Sequence, residues 1–530
     1  MKKRYSVAFS LIISSLILTS CSEISFLPYE NYIDPIETKH NIDNEIYYSQ
    51  DHYNSLAYEK YDGTAASIDT YRDLYDSRVD DRPYLNMSGL GEQKLLVIPI
   101  SFSDSNPSEL NSKRVKIQNA FFGKESTTSY ESVASFYNKS SYGHLKLKGT
   151  VSEWFNLDMT PAELKANIHP SAFGSRYVAS KAVEWYQENY DDLASFDTDE
   201  DGFIDGLFLI YDTDYKEPDD LFWAYTDRMR KNESFLSVSG QWQYLNTGDF
   251  AVNGYSWASI DFSDHRGNNA DSHVYSHETG HLFGLLDYYS NYKYQPVGYM
   301  DMMDSNIGDH TGWSKMILDW ITPYVLKGQG EISIKPFQNK GELILLPAGE
   351  WNGTPYDEFL LLEFYTPTGL NKYDTNLRFE YIDAAGKNKN GSLFTEPGLK
   401  VYHVDARLGY FNNKINRTLI SSFDDENVSS KLENYRESGA TRNYFIDFLN
   451  DNTVENLEKE NPIYHLLEKS GDNTFKDGYP ATNETLFKNG DSFGVKTFKN
   501  FTFNNGETLG YTFQITRLTN DILTIYFKTK

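Results

Sequence analysis

Residues 277–287 read His-Glu-Thr-Gly-His-Leu-Phe-Gly-Leu-Leu-Asp. This stretch constrains the fold and the chemistry of the chain more than any other. It contains H-E-x-x-H, followed at intervals of three residues by a glycine and an aspartate. On a helix, His277 and His281 lie on one face about one turn apart. That spacing suits two nitrogen ligands of one tetrahedral metal ion. The segment therefore predicts a helix built around a metal.

The remaining motif residues indicate a catalytic metal site. Gly284 allows the chain to leave the helix sharply, so Asp287 can return as an oxygen ligand. With His277 and His281, this gives three protein ligands and one open position, which is the catalytic pattern for zinc. Glu278 then takes a proton from the zinc-bound water and passes it to the leaving amine. The pattern predicts a zinc-dependent hydrolase, most simply a peptidase.

The alternative is an amphipathic helix with two surface histidines and a solvated glutamate. Positions beside the motif are instead apolar, as in a buried helix: Leu282, Phe283, Leu285 and Leu286. The segment 298–303 (GYMDMM) also follows a short distance downstream. These features favour the metal site.

Together these segments resemble the immune inhibitor A-type metallopeptidases of bacteria, which are metzincin-like. In that family the metal helix precedes a G-x-x-D-x-M segment whose methionine lies beneath the metal, and Met303 matches this methionine. Other similar segments are 95–104 (LLVIPISFSD), 135–147 (SFYNKSSYGHLKL), 313–315 (WSK) and 320–323 (WITP). The resemblance covers about residues 92–325. It implies an α/β metzincin-like catalytic domain in which a mixed sheet backs the active-site helix.

One position departs from this pattern. Metzincins often place a tyrosine two residues after the methionine to stabilise the oxyanion, whereas this chain has Ser305. Tyr288, Tyr289 and Tyr299 are near in sequence. The sequence assigns the oxyanion role to none of them.

Residues 197–205 (DTDEDGFID) predict a second metal site, a calcium loop. Its candidate ligands are Asp197, Asp199, Asp201, the carbonyl of Phe203 and Asp205. This spacing, with glycine at position six, matches the start of an EF-hand loop. Phe208 replaces the bidentate glutamate of an EF-hand, and a buried strand follows, so the form is different. The alternative is a solvated acidic turn without an ion.

Residues 1–21 predict a lipoprotein signal peptide. A basic start precedes an apolar stretch too short to span a bilayer, and the segment ends in the lipobox-like LTSC. Cys21 is the only cysteine, so its acylation, for example with palmitate, leaves no thiol for a disulfide. We expect an exported protein anchored through Cys21 on the extracellular side of a membrane. A buried free cysteine behind an ordinary signal peptide is the alternative.

The rest of the chain suggests several parts. Residues 22–90 read as a tether that can include a pro-segment, 91–325 as the catalytic domain, and 326–530 as an all-β sandwich. A net charge of −27 argues against nucleic acid and against electrostatic docking on anionic lipid. We expect a monomer whose partners are protein or peptide substrates.

Hydrophobic periodicity predicts individual elements. Strands are expected at 95–102, 207–211, 342–346, 359–365, 398–405, 511–515 and 522–527, and helical patterns at 171–190 and 454–468. Residues 250–262 alternate as an edge strand that would align a substrate. His403, within a predicted strand, is more simply a hydrogen-bonded residue than a metal ligand.

The leading interpretation is an exported, lipid-anchored zinc endopeptidase that acts on extracellular proteins. One alternative is a surface adhesion or ligand-binding lipoprotein on a peptidase scaffold, which the intact H-E-x-x-H-x-x-G-x-x-D set disfavours. Another is a zinc amidase or a glycoprotein-directed zinc hydrolase, because the H-E-x-x-H motif does not determine which acyl compound is hydrolysed.

Overall fold

The computed structural model describes most of the chain after residue 85. The described residues are 58–60, 86–168, 173–215, 221–264, 269–289, 294–373, 375, 378–382, 388–411, 419–422, 442–445 and 461–530. Cys21, the signal peptide and most of residues 22–90 lie outside them, so the expectations for that region stay predictions.

The described elements are as follows, in chain order. The helices are α1 (Pro107–Phe122), α2 (Val133–Ser140), α3 (Pro161–Asn167), α4 (Phe173–Asn189), α5 (His273–Leu282), α6 (Met302–Ser305), α7 (Gly312–Ile317) and α8 (Phe337–Lys340). Short 3₁₀ turns occur at Glu125–Thr127, Leu193–Phe196, Ile260–Asp264, Gly369–Asn371 and Thr474–Asp477. The strands are β1 (Tyr58–Lys60), β2 (Gly91–Ser101), β3 (Leu145–Val151), β4 (Phe155–Asn156), β5 (Phe203–Ile204), β6 (Leu207–Tyr211), β7 (Tyr225–Arg228), β8 (Ser234–Leu236), β9 (Trp242–Tyr244), β10 (Ala251–Val252), β11 (Gly254–Ser259), β12 (Tyr324–Leu326), β13 (Gly330–Ile334), β14 (Leu343–Pro347), β15 (Glu358–Tyr365), β16 (Arg378–Ile382), β17 (Asn388–Ser392), β18 (Gly398–Asp405), β19 (Leu408–Phe411), β20 (Leu419–Ser422), β21 (Arg442–Phe445), β22 (Tyr464–Leu466), β23 (Ser492–Phe493), β24 (Tyr511–Leu518) and β25 (Leu523–Thr529). None of these helices is long and apolar enough to cross a membrane.

A mixed sheet with helices on both faces forms the first half. Its order is β3-β2-β6-β11-β7, and β4 pairs with β2. Alternate residues of β2 enter two different cores: Leu95 packs on the side of α1, α2 and α5, and Leu96 on the side of α3 and α4. This confirms the predicted α/β character and a mixed sheet behind the helix that carries His277.

The predicted edge strand is wrong. β11, which contains Trp257 of the segment 250–262, pairs in parallel with β6 and antiparallel with β7. Among the described strands, β7 pairs only with β11 and so forms this edge of the sheet. Alternation of side chains reflects burial, whereas edge position depends on a partner distant in sequence, and the sequence pattern does not contain it.

The second half is rich in β structure, as predicted. One sheet has the order β1-β12-β14-β15-β18-β22 and packs face to face on another, β13-β25-β24-β23. The other face of the six-stranded sheet, with Leu345, Phe359 and Tyr402, belongs to the same core as α5. The apolar core therefore runs continuously from the first half into the second, and the boundary at 325/326 stays a prediction.

The helical pattern expected at 454–468 is wrong over the part that the structure describes. Tyr464–Leu466 is strand β22, which pairs antiparallel with β18. Residues 454–460 lie outside the described residues. Pairing with an existing sheet overrides local helical preference here, because Tyr464 and Leu466 become fully buried by it.

A buried ion pair attaches α4 to the edge strand. Arg176 on α4 donates to both carboxylate oxygens of Asp227 on β7, at 2.6 and 2.9 Å, and its side chain is 1% exposed. Glu233 lies 3.8 Å from the same guanidinium. The position of β7 therefore depends on a charge pair that is shielded from water.

We predict that Arg176→Met lowers the free energy of unfolding by about 3 kcal/mol, because it leaves the Asp227 carboxylate buried without its partner. Lys181→Met on the same helix is the matched control. The side chains of the Lys181–Glu184 pair are about 40% exposed, so the loss of this pair should lower the free energy of unfolding by less than ~1 kcal/mol. Urea denaturation of both variants measures the difference. Equal losses would contradict a special role for the Arg176 pair.

Candidate metal centre

The buried helix α5 ends in a turn that depends on one glycine. Gly284 has φ +84°, a conformation that favours glycine. Its N–H donates to the His281 carbonyl at 3.0 Å, and the N–H of Leu285 donates to the Gly280 carbonyl at 3.1 Å. These two bonds form a Schellman motif. The chain reverses there, and Asp287 comes back beside the helix, as the sequence predicts.

Backbone carbonyls orient both histidines. The Nδ1 atom of His277 lies 2.7 Å from the carbonyl oxygen of Met302, and Nδ1 of His281 lies 2.8 Å from that of Leu285. A carbonyl oxygen only accepts, so each Nδ1 carries the proton and donates it. In the neutral imidazoles, both Nε2 atoms then present lone pairs, which is the form that binds a metal.

Asp287 faces these two lone pairs. Its Oδ1 lies 3.0 Å from Nε2 of His277 and 3.3 Å from Nε2 of His281, and all three residues are buried. Burial raises the pKa of Asp287, but the charge of His281 and His277, when these are protonated, and their hydrogen bonds lower it to about 2, so the carboxylate is ionised. With both Nε2 atoms deprotonated, three electron-rich atoms meet in a site shielded from water.

This donor set fits a zinc ion. Nitrogen and oxygen ligands at tetrahedral angles around zinc lie about 3.3–3.5 Å from one another, close to the separations from Asp287. Nε2 of His281 is buried without a hydrogen-bond partner among the described residues. A cation bound between the three atoms would remove their mutual repulsion.

Met303 packs against the helix between the two histidines. A Cβ atom built on Gly280 would lie 2.6 Å from the sulfur of Met303, so a larger residue at this position would force the Met303 side chain to move. The N–H of Met303 donates to the Asp301 carboxylate at 2.7 Å. Since Met302 supplies the carbonyl that orients His277, the same short segment supports the ligands in two ways.

Glu278 is fully buried beside the histidines. The hydroxyl of Thr226, on the edge strand β7, lies 3.0 Å from its carboxylate oxygen Oε2. No local sequence pattern predicts a role for Thr226, because its contact with Glu278 depends on how β7 packs on α5.

The oxyanion role stays unassigned. Ser305 donates to the Asp304 carboxylate at 3.0 Å. Tyr288 hydrogen-bonds Ser314, and the Tyr299 pKa is raised by burial and by the charge of Asp304. The Tyr289 ring lies 6.5 Å from that of His277, centroid to centroid.

The acidic loop brings its four aspartates together. Carboxylate oxygens of Asp197, Asp199, Asp201 and Asp205 all lie within 4.8 Å of one another. Burial, with the charges of Asp199 and Asp197 adding to it, raises the pKa of Asp205 to about 6, although hydrogen bonds from Thr198 oppose the shift. The N–H of Phe203 donates to Asp201 at 2.8 Å.

His403 belongs to neither cluster. Its Nε2 lies 2.8 Å from Oε1 of Glu358 on the neighbouring strand, which agrees with the expected hydrogen-bonded strand histidine.

We predict that Gly280→Ala lowers the free energy of unfolding of the metal-free protein by about 1–3 kcal/mol, because its methyl group would overlap Met303. Met303→Ala alone leaves a cavity, but it also creates the space that the methyl group added at position 280 needs. The double variant should therefore lose at least ~1 kcal/mol less than the sum of the single losses. Urea denaturation in chelator measures this cycle, and strict additivity would contradict the contact.

Comparisons with known proteins leave the family open. No family model matches the chain, and neither does any curated protein. Among solved structures, metalloproteinase-II from Bacteroides fragilis is similar over 49% of this chain and 61% of that chain, with 14% sequence identity and a TM-score of 0.20. The chain thus spans about three fifths of that structure, and a likeness of this size carries no argument about function.

Proposed function

We propose that the protein is a zinc-dependent endopeptidase with a metzincin-like catalytic domain of the immune inhibitor A type. The observation that carries the proposal is the meeting of His277 Nε2, His281 Nε2 and the Asp287 carboxylate beside buried Glu278. This is the three-ligand set of a catalytic zinc site, with the general base next to it.

The chemistry follows from these residues. When bound by His277, His281 and Asp287, zinc lowers the pKa of water and polarises a carbonyl group. Glu278 accepts the proton of the attacking water and transfers it to the leaving amine, so that each bond change is matched by a proton transfer. Burial of the site excludes bulk water and strengthens these electrostatic interactions.

The edge strand β7 supports a binding mode for the substrate. An extended peptide can add to a sheet edge through backbone hydrogen bonds. β7 contacts α5 directly, and its Thr226 touches Glu278. We therefore propose that a protein substrate lies along β7, with its scissile bond near Glu278.

The cellular setting is a proposal that rests on the N-terminal sequence. The basic start, the short apolar stretch and LTSC support an exported lipoprotein acylated on Cys21. Such a protein would act as a monomer on the extracellular side of a membrane and would meet extracellular proteins there.

We predict that Glu278→Gln retains zinc, because the proposed ligands are unchanged. The substitution should lower the rate of casein hydrolysis by about 10²–10⁴-fold, because the general base is removed. His281→Ala should lose both zinc and activity. Residues 22–530 of the parent and both variants are compared by zinc content and by casein cleavage.

Three outcomes bear on the proposal. A Glu278→Gln variant as active as the parent would exclude this residue from the mechanism. A zinc-free parent that cleaves nothing would favour a binding protein on a peptidase scaffold. Cleavage of a mucin, but not of its deglycosylated form, would narrow the substrate to glycoproteins.

We also propose that the 197–205 loop binds calcium. Four carboxylates held this closely repel one another unless a cation lies between them. β5, inside the loop, pairs in parallel with β10, which leads into β11 of the central sheet. A bound ion would therefore stabilise the connection between the loop and this sheet.

We predict that millimolar calcium raises the thermal midpoint at pH 7 and that this effect disappears in Asp197→Asn. Asp191→Asn, an exposed aspartate nearby, is the matched control. Because the pKa of Asp205 is about 6, protons compete with calcium as the pH falls through 6, and the effect should shrink. Without calcium, the thermal midpoint should instead rise as the pH falls through 6. The reason is that a carboxyl group whose pKa is raised in the folded state binds protons more tightly there than in the unfolded state. Scanning calorimetry tests both, and a calcium-independent midpoint would contradict the site.

A further inference from the structure

Two hydroxyl groups on adjacent strands reach the same residue of α5. Thr226 on β7 and Ser256 on β11 are directly opposite each other, with their Oγ atoms 2.8 Å apart. Opposite residues of an antiparallel pair point to the same face of the sheet. Both hydroxyls therefore face the helix, and both contact Glu278.

The two contacts differ in what they hold. Ser256 Oγ lies 3.2 Å from the backbone carbonyl of Glu278. Thr226 Oγ1 lies 2.9 Å from that carbonyl and 3.0 Å from the carboxylate oxygen Oε2. Ser256 thus reaches only the helix backbone, whereas Thr226 also reaches the side chain that acts as the base.

Each hydroxyl has one proton to donate. The carbonyl and an ionised carboxylate of Glu278 can only accept. Hydrogen bonds to a charged oxygen are the stronger ones, so the proton of Thr226 goes to Oε2. The proton of Ser256 then goes either to the Thr226 oxygen, 2.8 Å away, or to the Glu278 carbonyl, 3.2 Å away. In both cases the Glu278 carboxylate receives its hydrogen bond from Thr226.

We propose that Thr226 is a positioning residue, which holds the Glu278 carboxylate in the orientation needed to accept a proton from the attacking water. This inference rests on the proposed function. A glutamate side chain has several rotatable bonds, and a misplacement of about 1 Å can cost about 10²-fold in rate. Because Thr226 is buried on a strand, its hydroxyl is itself held in place.

The test compares Thr226→Val, which keeps the shape but removes the hydroxyl, with Thr226→Ser, which keeps the hydroxyl. Ser259→Ala is the matched control, because Ser259 is a buried hydroxyl on the same strand as Ser256 and donates to the Thr213 carbonyl at 2.6 Å. We expect Thr226→Val to lower kcat by about 10–100-fold, with KM changed less than about twofold and zinc retained. Thr226→Ser should recover most of kcat, and Ser259→Ala should keep it.

A second measurement does not depend on turnover. A peptide hydroxamate binds zinc and donates a hydrogen bond to a neighbouring carboxylate, so calorimetry of the zinc-loaded protein reports the orientation of Glu278. Thr226→Val should weaken hydroxamate binding about 10-fold, which is the size of one lost charged hydrogen bond. In a Glu278→Gln background the same substitution should have little further effect.

The outcomes separate the two proposals. An active, zinc-loaded parent with an equally active Thr226→Val variant would overturn the positioning role and leave the proposed function intact. Equal losses in Thr226→Val and Ser259→Ala would also overturn it, because they would show a general structural effect. A parent that neither binds zinc nor cleaves casein would overturn both.

Discussion

The candidate metal centre depends on two hydrogen bonds from imidazole to backbone. The carbonyls of Met302 and Leu285 fix His277 and His281 in the tautomer that presents Nε2 to Asp287. Each carbonyl comes from a residue outside α5, so the helix alone cannot orient its own candidate ligands. The Schellman turn at Gly284 and the segment around Met303 are therefore part of the site as much as the histidines are.

Burial of α5 costs free energy, because its polar groups lose their contact with water, and it strengthens the electrostatic interactions between them. Every residue of α5 is buried, so its polar groups must find partners within the protein. The mixed sheet supplies Thr226 and Ser256, and the six-stranded sheet of the second half packs behind the same core. A buried ion pair lies on each side of this contact: Lys315 with Asp309 in the first half, and Lys400 with Glu363 in the second. The second half thus acts as a supporting layer for the site.

The acidic loop and the candidate metal centre are connected through the sheet. β5 of the loop pairs with β10, and β11, which carries Ser256, follows β10 after one residue. An ion in the loop would therefore restrain the strand that faces α5.

Local spacing determined much of the candidate site in advance. His277, Glu278, His281, Gly284 and Asp287 lie within eleven residues, so helix geometry and one turn are enough to bring them together. The strand 207–211 and the helix at 171–190 also follow from periodicity, because each element buries a local pattern of side chains.

Only the tertiary structure decided which strand lies at the edge, which carbonyls orient the histidines, and that Thr226 reaches Glu278. Except for the bond from His281 to Leu285, four residues away, these features join residues 25 to 52 positions apart. The sequence carries no periodic signal for such distant pairs. Many strands are possible partners for β7, and the packing of the whole sheet on α5 determines that it pairs with β11. The sequence thus determined the candidate ligands, and the fold determined what holds them.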